Sequence, residues 1–165
     1  MFRICSYGLT AEPTALRRVS LAPAASALLV LVLAGVPTAR AAERLSGPFA
    51  ATVERVIDGD SLSVRVSIWL GLQVSTIVRL RGVDAPELAG RCPEERRRAV
   101  AAREALAALV SDGTVSLAAV ETDKYGGRVV ADVADGSGRP LADALVDAGL
   151  ARPYDGGRRA GWCRP

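Results

Sequence analysis

Apolar and polar residues alternate along much of the chain between residues 49 and 134, which predicts β-strands. The clearest stretch is 61–68, where every second residue is a leucine, valine or isoleucine and the others are serines and one arginine. A period of two gives a strand one apolar and one polar face. Similar runs, bounded by Asp-Gly turns and by Gly71, predict five strands, at 49–57, 60–69, 74–83, 114–120 and 129–134.

The hydrophobic period changes to a helical one after Pro93. Apolar residues at Ala99, Ala102 and Leu106 form one stripe of a helix predicted from Glu94 to Val110, with a proline at its favoured first position. A second, short helix is predicted between Pro140 and Gly149. Five strands with a helix between the third and the fourth predict a mainly β, α+β fold, a five-stranded Greek-key barrel of the OB type.

The first 41 residues have the composition of an export signal. Arginines precede an apolar run at 19–36, and Ala39-Arg40-Ala41 matches a signal-peptidase site. We therefore expect residues 1–41 to be a signal peptide and the product to be periplasmic or extracellular. Prolines and a glycine interrupt the apolar run, so a retained membrane anchor is the weaker alternative. Residues 47–165 are expected to form one domain, without stable membrane insertion after processing.

Charge and histidine content limit the chemistry that the domain can use. The chain has 21 basic and 18 acidic residues, but four arginines and one glutamate lie in residues 1–41, which leaves 17 of each. The net basicity therefore does not indicate nucleic-acid binding, and any phosphate site must depend on local arginines. The chain contains no histidine, which excludes histidine-ligated zinc and a Ser-His-Asp triad.

Two cysteines, Cys92 and Cys163, follow the predicted signal. An even number of cysteines in an exported chain favours a disulfide, and the pair lacks the close spacing of metal and redox sites. The bridge would close a loop of about 70 residues and contribute about 4 kcal/mol in the chain-entropy model.

Carboxylates and arginines cluster at the ends of the second and third predicted strands. Asp58 and Asp60 precede one strand, Arg79 lies in the next, and Asp84 and Glu87 follow it. Taken singly, these motifs are compatible with a hairpin turn or a helix start. Taken together, they are what metal-assisted attack on a phosphodiester requires.

The order of these motifs resembles the staphylococcal nuclease (thermonuclease) family over about Phe49 to Tyr154. The matching stretches are Ile57-Asp58-Gly59-Asp60-Ser61, residues 79–87, Asp123-Lys124-Tyr125-Gly126 with Arg128, and residues 145–151. The resemblance implies an OB barrel and calcium-dependent hydrolysis of DNA or RNA phosphodiesters, the activity of an endonuclease. We expect a monomer whose partner is its nucleic-acid substrate.

The resemblance also implies roles for individual residues. Calcium would be held by Asp60, Asp84 and the backbone carbonyl of Ala85, with Asp58 just outside this set. Glu87 would be the general base, and the phosphate would be clamped by Arg79 and Arg128. Two positions would contact a second phosphate, Lys124 and Tyr125. Tyr154 would either stack on a base or pack over the barrel.

One departure from the family pattern is the additional glycine Gly127, which puts the aim of Arg128 in question. We expect a local bulge to absorb it and to leave the following strand in phase, with Ala131 and Val133 inward. A one-residue slip would turn these side chains outward. A non-catalytic OB-fold module that binds nucleic acid is the alternative function; the complete set of acids and arginines favours an enzyme.

Overall fold

The computed structural model describes residues 43–163, so the signal predicted at residues 1–41 lies outside the described part of the chain. Within it are eight strands and two helices. The strands are β1 (Arg44–Leu45), β2 (Phe49–Val56), β3 (Ser61–Trp69), β4 (Leu72–Leu80), β5 (Val83–Asp84), β6 (Thr114–Thr122), β7 (Arg128–Asp135) and β8 (Arg152–Pro153). The helices are α1 (Pro93–Leu109) and α2 (Leu141–Asp147).

Five of these strands form a closed barrel, as predicted. They are hydrogen-bonded in the order β2, β3, β4, β7, β6, and β6 returns to β2. All neighbours are antiparallel except β4 and β7, which are parallel. The α+β, mainly β fold expected from the sequence is confirmed.

The inward faces of the strands and one side of each helix form a single hydrophobic core. Leu62 and Val64 from β3 are fully buried, as are Leu106 from α1 and Leu145 from α2. Full burial of each such side chain contributes about 1.5–3 kcal/mol. None of the described helices is long and apolar enough to cross a membrane.

The third predicted strand, at 74–83, is divided in the structure. β4 ends at Leu80, and Gly82 adopts a positive φ of 80° that turns the chain. The next two residues form β5, which pairs with β8 near the C-terminus, Asp84 opposite Arg152. This turn brings Ala85 to the end of β3, where its backbone N–H donates to Asp60 Oδ2 at 3.2 Å.

The loop between β6 and β7 accommodates the additional glycine. The N–H of Asp123 donates to the carbonyl of Arg128 at 3.1 Å, and Gly126 and Gly127 both have positive φ, 70° and 68°. This conformation favours glycine. Ala131 is buried, so β7 keeps its predicted phase and the one-residue slip does not occur.

Candidate functional site

Asp60 is fixed by a tight turn that precedes β3. The carboxylate of Asp58 accepts a hydrogen bond from the N–H of Asp60 at 3.0 Å, an Asx turn. Gly59 lies against α1 and the segment after β5, where an added Cβ would be 2.7 Å from Cβ of Ala102 and 2.8 Å from Cβ of Ala85. Only glycine fits this close approach, which holds Asp60 beside Ala85.

The Asp60 carboxylate is buried and accepts hydrogen bonds at both oxygens. Nη1 of Arg79 donates to its Oδ1 at 2.8 Å, and the hydroxyl of Ser61 donates to the same oxygen at 3.0 Å. The β3–β4 register, which pairs Ser61 with Arg79, sets this contact. Arg79 is itself buried and also donates to the carbonyl of Val83 at 3.3 Å.

Burial raises the pKa of Asp60 to about 6, although the positive charge of Arg79 acts in the opposite direction. The negative charge of Asp58 adds to the increase. The positive charge of Arg79 alone therefore does not offset the free-energy cost of burying the ionised Asp60 carboxylate. A second cation at this carboxylate would be favourable.

Asp84, also buried, is contacted by three side chains from the C-terminal strap, which we define as residues 152–163. Its carboxylate lies 3.2 Å from Nε of Arg159 and 3.6 Å from Nη2 of Arg152, and it accepts a hydrogen bond from the Trp162 indole at 3.3 Å. The guanidinium of Arg152 lies 3.6 Å from the centre of the Trp162 ring. The strap thus surrounds one of the predicted metal ligands.

Arg159 joins this carboxylate to the predicted general base. Its Nη1 donates to Oε1 of Glu87, whose side chain is about half exposed. Burial alone would lower the pKa of Arg159, but the hydrogen bond to Glu87 and the charges of Asp84, Glu87 and Asp60 raise it. Arg159 is therefore a permanent cation among three of the predicted site acids.

The expected disulfide between Cys92 and Cys163 is present and anchors the strap. Their Cα atoms are 6.0 Å apart, and the bond spans 71 residues of sequence. Cys92 is the N-cap residue of α1, and its Sγ accepts a hydrogen bond from the N–H of Glu95 at 3.4 Å. The disulfide thereby fixes Trp162, the neighbour of Cys163, close to the site.

A groove of about 990 Å³ runs past Arg79. Arg128 lines it and is held by Asp123, whose Oδ2 is 2.6 Å from its Nε. The lining includes the predicted substrate-binding residues and additional basic ones: Arg79, Arg81, Lys124, Tyr125, Arg128, Tyr154 and Arg159. Three acidic residues also line the groove, Glu121, Asp123 and Asp155, so its five basic residues leave a formal charge of 5 − 3 = +2. An open groove with a net positive charge suits a phosphate backbone.

Most of the predicted site residues are thus brought together. Asp60 contacts Arg79 and the backbone of Ala85 at the junction of β3, β4 and β5, whereas the Asp84 carboxylate contacts the strap. The adjoining groove is lined by Arg128, Lys124, Tyr125 and Tyr154. Tyr125 is largely exposed, with Nζ of Lys124 5.0 Å from its ring centre. Tyr154 donates its hydroxyl to the carbonyl of Gly157 at 2.8 Å.

The donor types at this junction, carboxylate and carbonyl oxygens, are those that a hard cation such as calcium prefers. Among the described residues, three acidic or cysteine ligand atoms lie within 4.8 Å of one another only at Cys92, Glu95 and Cys163. Those sulfurs are oxidised to a disulfide, so they offer no thiolate ligands. By the same measure, the carboxylates of Asp58, Asp60, Asp84 and Glu87 do not form such a cluster in this structure.

Sequence reasoning did not identify Arg159, Arg152 or Trp162. They lie in a segment rich in glycine and arginine without hydrophobic periodicity. The predicted disulfide could have located them. Cys92 lies five residues after Glu87, and Cys163 directly follows Trp162, so a bond between the two cysteines brings the C-terminal segment close to Glu87.

A comparison with curated proteins finds no match. The family model of the staphylococcal nuclease homologues matches residues 77–160, just over half of the chain. The matched range contains Arg79, Asp84, Glu87 and Arg128 but begins after Asp60. With the closed five-stranded barrel, this match shows that the chain belongs to the staphylococcal nuclease homologue family.

Proposed function

We propose that the protein is a secreted, calcium-dependent nuclease that hydrolyses phosphodiester bonds of DNA or RNA. The observation that carries this proposal is the junction of Asp60, Arg79 and the Asp84–Ala85 segment at the side of a basic groove. Family membership supports a nuclease or nucleic-acid-binding function. The disulfide supports export to an oxidising compartment, with processing after Ala41.

Asp60, Asp84 and the carbonyl of Ala85 would hold calcium, which when bound neutralises phosphate charge and orients a water molecule. Arg79 and Arg128 would donate hydrogen bonds to the phosphate oxygens, and these bonds strengthen as negative charge develops there. Glu87 would accept a proton from the attacking water. Lys124, Tyr125 and Tyr154 would position the neighbouring nucleotides along the groove.

Arg159 must leave Asp84 and Glu87 before these carboxylates can take up such roles. The guanidinium contacts both carboxylates. A carboxylate lone pair that accepts a hydrogen bond from Arg159 cannot at the same time bind calcium or accept a proton from water. Arg159 also lines the groove, so once released from the carboxylates its charge would be available to attract the phosphate backbone.

The same contacts favour a second candidate, a non-catalytic module that binds nucleic acid. If Arg159 remained on Asp84 and Glu87, the acids would serve the structure of the strap, and the basic groove would bind without cleavage. The two candidates differ in whether calcium and the acids are needed for turnover.

Digestion of plasmid DNA, single-stranded DNA and RNA by the chain from Ala42 onward separates these candidates. Cleavage is expected with calcium and is expected to stop with excess chelator. Asp60→Asn should abolish it, whereas Asp147→Asn, an exposed aspartate at the end of α2, should not. Undiminished cleavage in chelator would refute the metal mechanism. Binding without cleavage in calcium would support the non-catalytic module.

A further inference from the structure

The end of the β3–β4 hairpin is exposed and apolar. We call residues 67–74 the hairpin end. Trp69, the last residue of β3, is 76% exposed, and Leu70, which forms the turn with Gly71, is 92% exposed. Most of the exposed large apolar side chains in the described part of the chain lie here: Ile68, Trp69, Leu70, Leu72 and Val74. Such a concentration at one place marks an interaction surface.

The hairpin end projects beyond the barrel. β2 pairs with β3 no further than Val66, and β7 pairs with β4 only from Ile77 onward. Residues 67–73 therefore have strand partners only within their own hairpin. Ser67, for example, pairs with Gln73. The turn at Leu70 lies four residues past the last β2 partner, about 13 Å at the rise of a strand.

One face of the hairpin end is apolar. Residues paired across an antiparallel ladder lie on the same face: Trp69 pairs with Leu72, whereas Ser67 pairs with Gln73 on the polar face. The two most exposed apolar side chains, Trp69 and Leu70, lie at the tip of the ribbon, where a planar apolar layer can receive them end-on.

The local charge also suits a lipid medium. No charged residue occurs from Val66 to Val78, so insertion would carry no ionised group toward the hydrocarbon. Tryptophan favours the interface between water and the bilayer core. The nearest charged residue of the hairpin is Arg65, which is paired with Glu54 at 2.7 Å, so no excess charge requires an anionic surface.

We propose that the hairpin end inserts into the interfacial layer of a lipid bilayer and holds the domain at a membrane surface. The attachment is peripheral, because the outer N–H and C=O groups of a two-stranded ribbon have no partner in hydrocarbon. Leu70 and Trp69 at the turn enter most deeply, and Ile68 and Leu72 lie at headgroup level.

This attachment leaves the basic groove accessible. Ser61 and Arg79 pair at one end of the β3–β4 hairpin, and Trp69 and Leu72 pair at the other. Eight residue steps along β3 separate the two ends, about 26 Å. The candidate site therefore lies at the opposite end of the hairpin from a membrane that holds the hairpin end, and the inference does not depend on the proposed nuclease activity.

Flotation with phosphatidylcholine vesicles tests the proposal, using the chain from Ala42 onward, which contains the whole described fold and its core. The protein is expected to float with the vesicles at both low and high salt. Trp69→Ser combined with Leu70→Ser should weaken vesicle binding at least tenfold. Ile68→Ser should weaken it too, whereas Leu45→Ser should not. Ile68 and Leu45 are a matched pair, since both are 51% exposed but Leu45 lies in β1.

Tryptophan fluorescence provides a second measurement. In a Trp162→Phe background Trp69 is the sole tryptophan, and its emission should shift to shorter wavelength when vesicles are added. Failure of the unsubstituted protein to float at any lipid concentration would overturn the proposal, as would equal flotation of the Trp69→Ser/Leu70→Ser variant. A dimer that this variant dissociates, without vesicle binding, would identify a second copy as the occupant and would also overturn it.

Discussion

Arg79 and Arg128 are held in different ways, which predicts different consequences of removing them. The Arg79 side chain is buried against Asp60, whereas Arg128 is partly exposed and paired with Asp123. Arg79→Ala should lower the cleavage rate about 10²–10³-fold and leave Asp60 unpaired, at a cost of about 3–5 kcal/mol of stability. Arg128→Ala should lower the rate to the same extent, with a stability loss of about 1–3 kcal/mol.

A matched double variant separates the two roles of Arg128. Asp123→Asn combined with Arg128→Ala removes the unpaired carboxylate, so stability in urea unfolding should partly return while the cleavage rate stays low. If cleavage recovered together with stability, Arg128 would be a structural partner of Asp123 and not a phosphate clamp.

Asp123 gives a second prediction, on the dependence of stability on pH. Burial would raise the pKa of Asp123, but the hydrogen bonds from Arg128 and from the N–H of Tyr125, with the charge of Arg128, lower it below 3.8 overall. The folded protein therefore binds fewer protons than the unfolded chain just below pH 3.8. The stabilisation is complete above that pH and is lost as the pH falls through the lowered value.

Urea unfolding of Asp123→Asn and of the unsubstituted protein at pH 6 and pH 3 checks this expectation. The variant should be less stable at pH 6, by about 1–3 kcal/mol, and the difference should shrink at pH 3. Because Asp60 is present in both proteins, its raised pKa cancels in the difference. A difference that is constant with pH would mean that the charge of Asp123 contributes nothing.

At the scale of single residues, the sequence motifs predicted the contacts that the pairing of strands determines. Asp60 and Arg79 are adjacent because the β3–β4 register places them so, and alternation within each strand could be seen in the sequence. The contacts of Arg159 with Asp84 and Glu87 bridge more than 70 residues. No local sequence pattern encodes such a contact. The predicted Cys92–Cys163 disulfide was the indication that the C-terminal segment lies near the site.

At the scale of elements, the predicted strands are correct where one face meets the core and inexact where the backbone bends. The run at 74–83 reads as one strand because Gly82 is its only interruption, yet the turn there creates β5. The run at 114–120 likewise predicts a regular strand. In the structure Ala119 has a positive φ of 51° beside a register shift.

Both irregularities of the backbone, at Ala119 and at Gly82, position groups near the candidate site. The bend at Ala119 presents its carbonyl to Nη2 of Arg81, and the turn at Gly82 brings Asp84 toward Asp60. Neither could be predicted from periodicity, because an irregular backbone is stabilised by partners distant in sequence. The additional Gly127 had the opposite outcome: a loop absorbed it, and the strand phase could be predicted from the side chains alone.

At the scale of the whole molecule, the disulfide closes the chain over its own candidate site. The strap begins with β8, which pairs with β5, and its other end is tied by the disulfide to the N-cap residue of α1. Arg159 lies between these two anchors and contacts Asp84 and Glu87. The strap is therefore a structural closure, and under the proposed function it would compete with calcium for these carboxylates.

This competition predicts that Arg159→Ala binds calcium more tightly than the unsubstituted protein. Two charge-assisted contacts with the carboxylates would no longer have to be broken, and the gain should be roughly tenfold in Kd by calorimetry. Arg158→Ala is the matched control, because it removes the same charge from the neighbouring position, and it should leave the affinity almost unchanged. Equal gains in both variants would indicate a general effect of charge, and no gain in either would show that Arg159 does not compete.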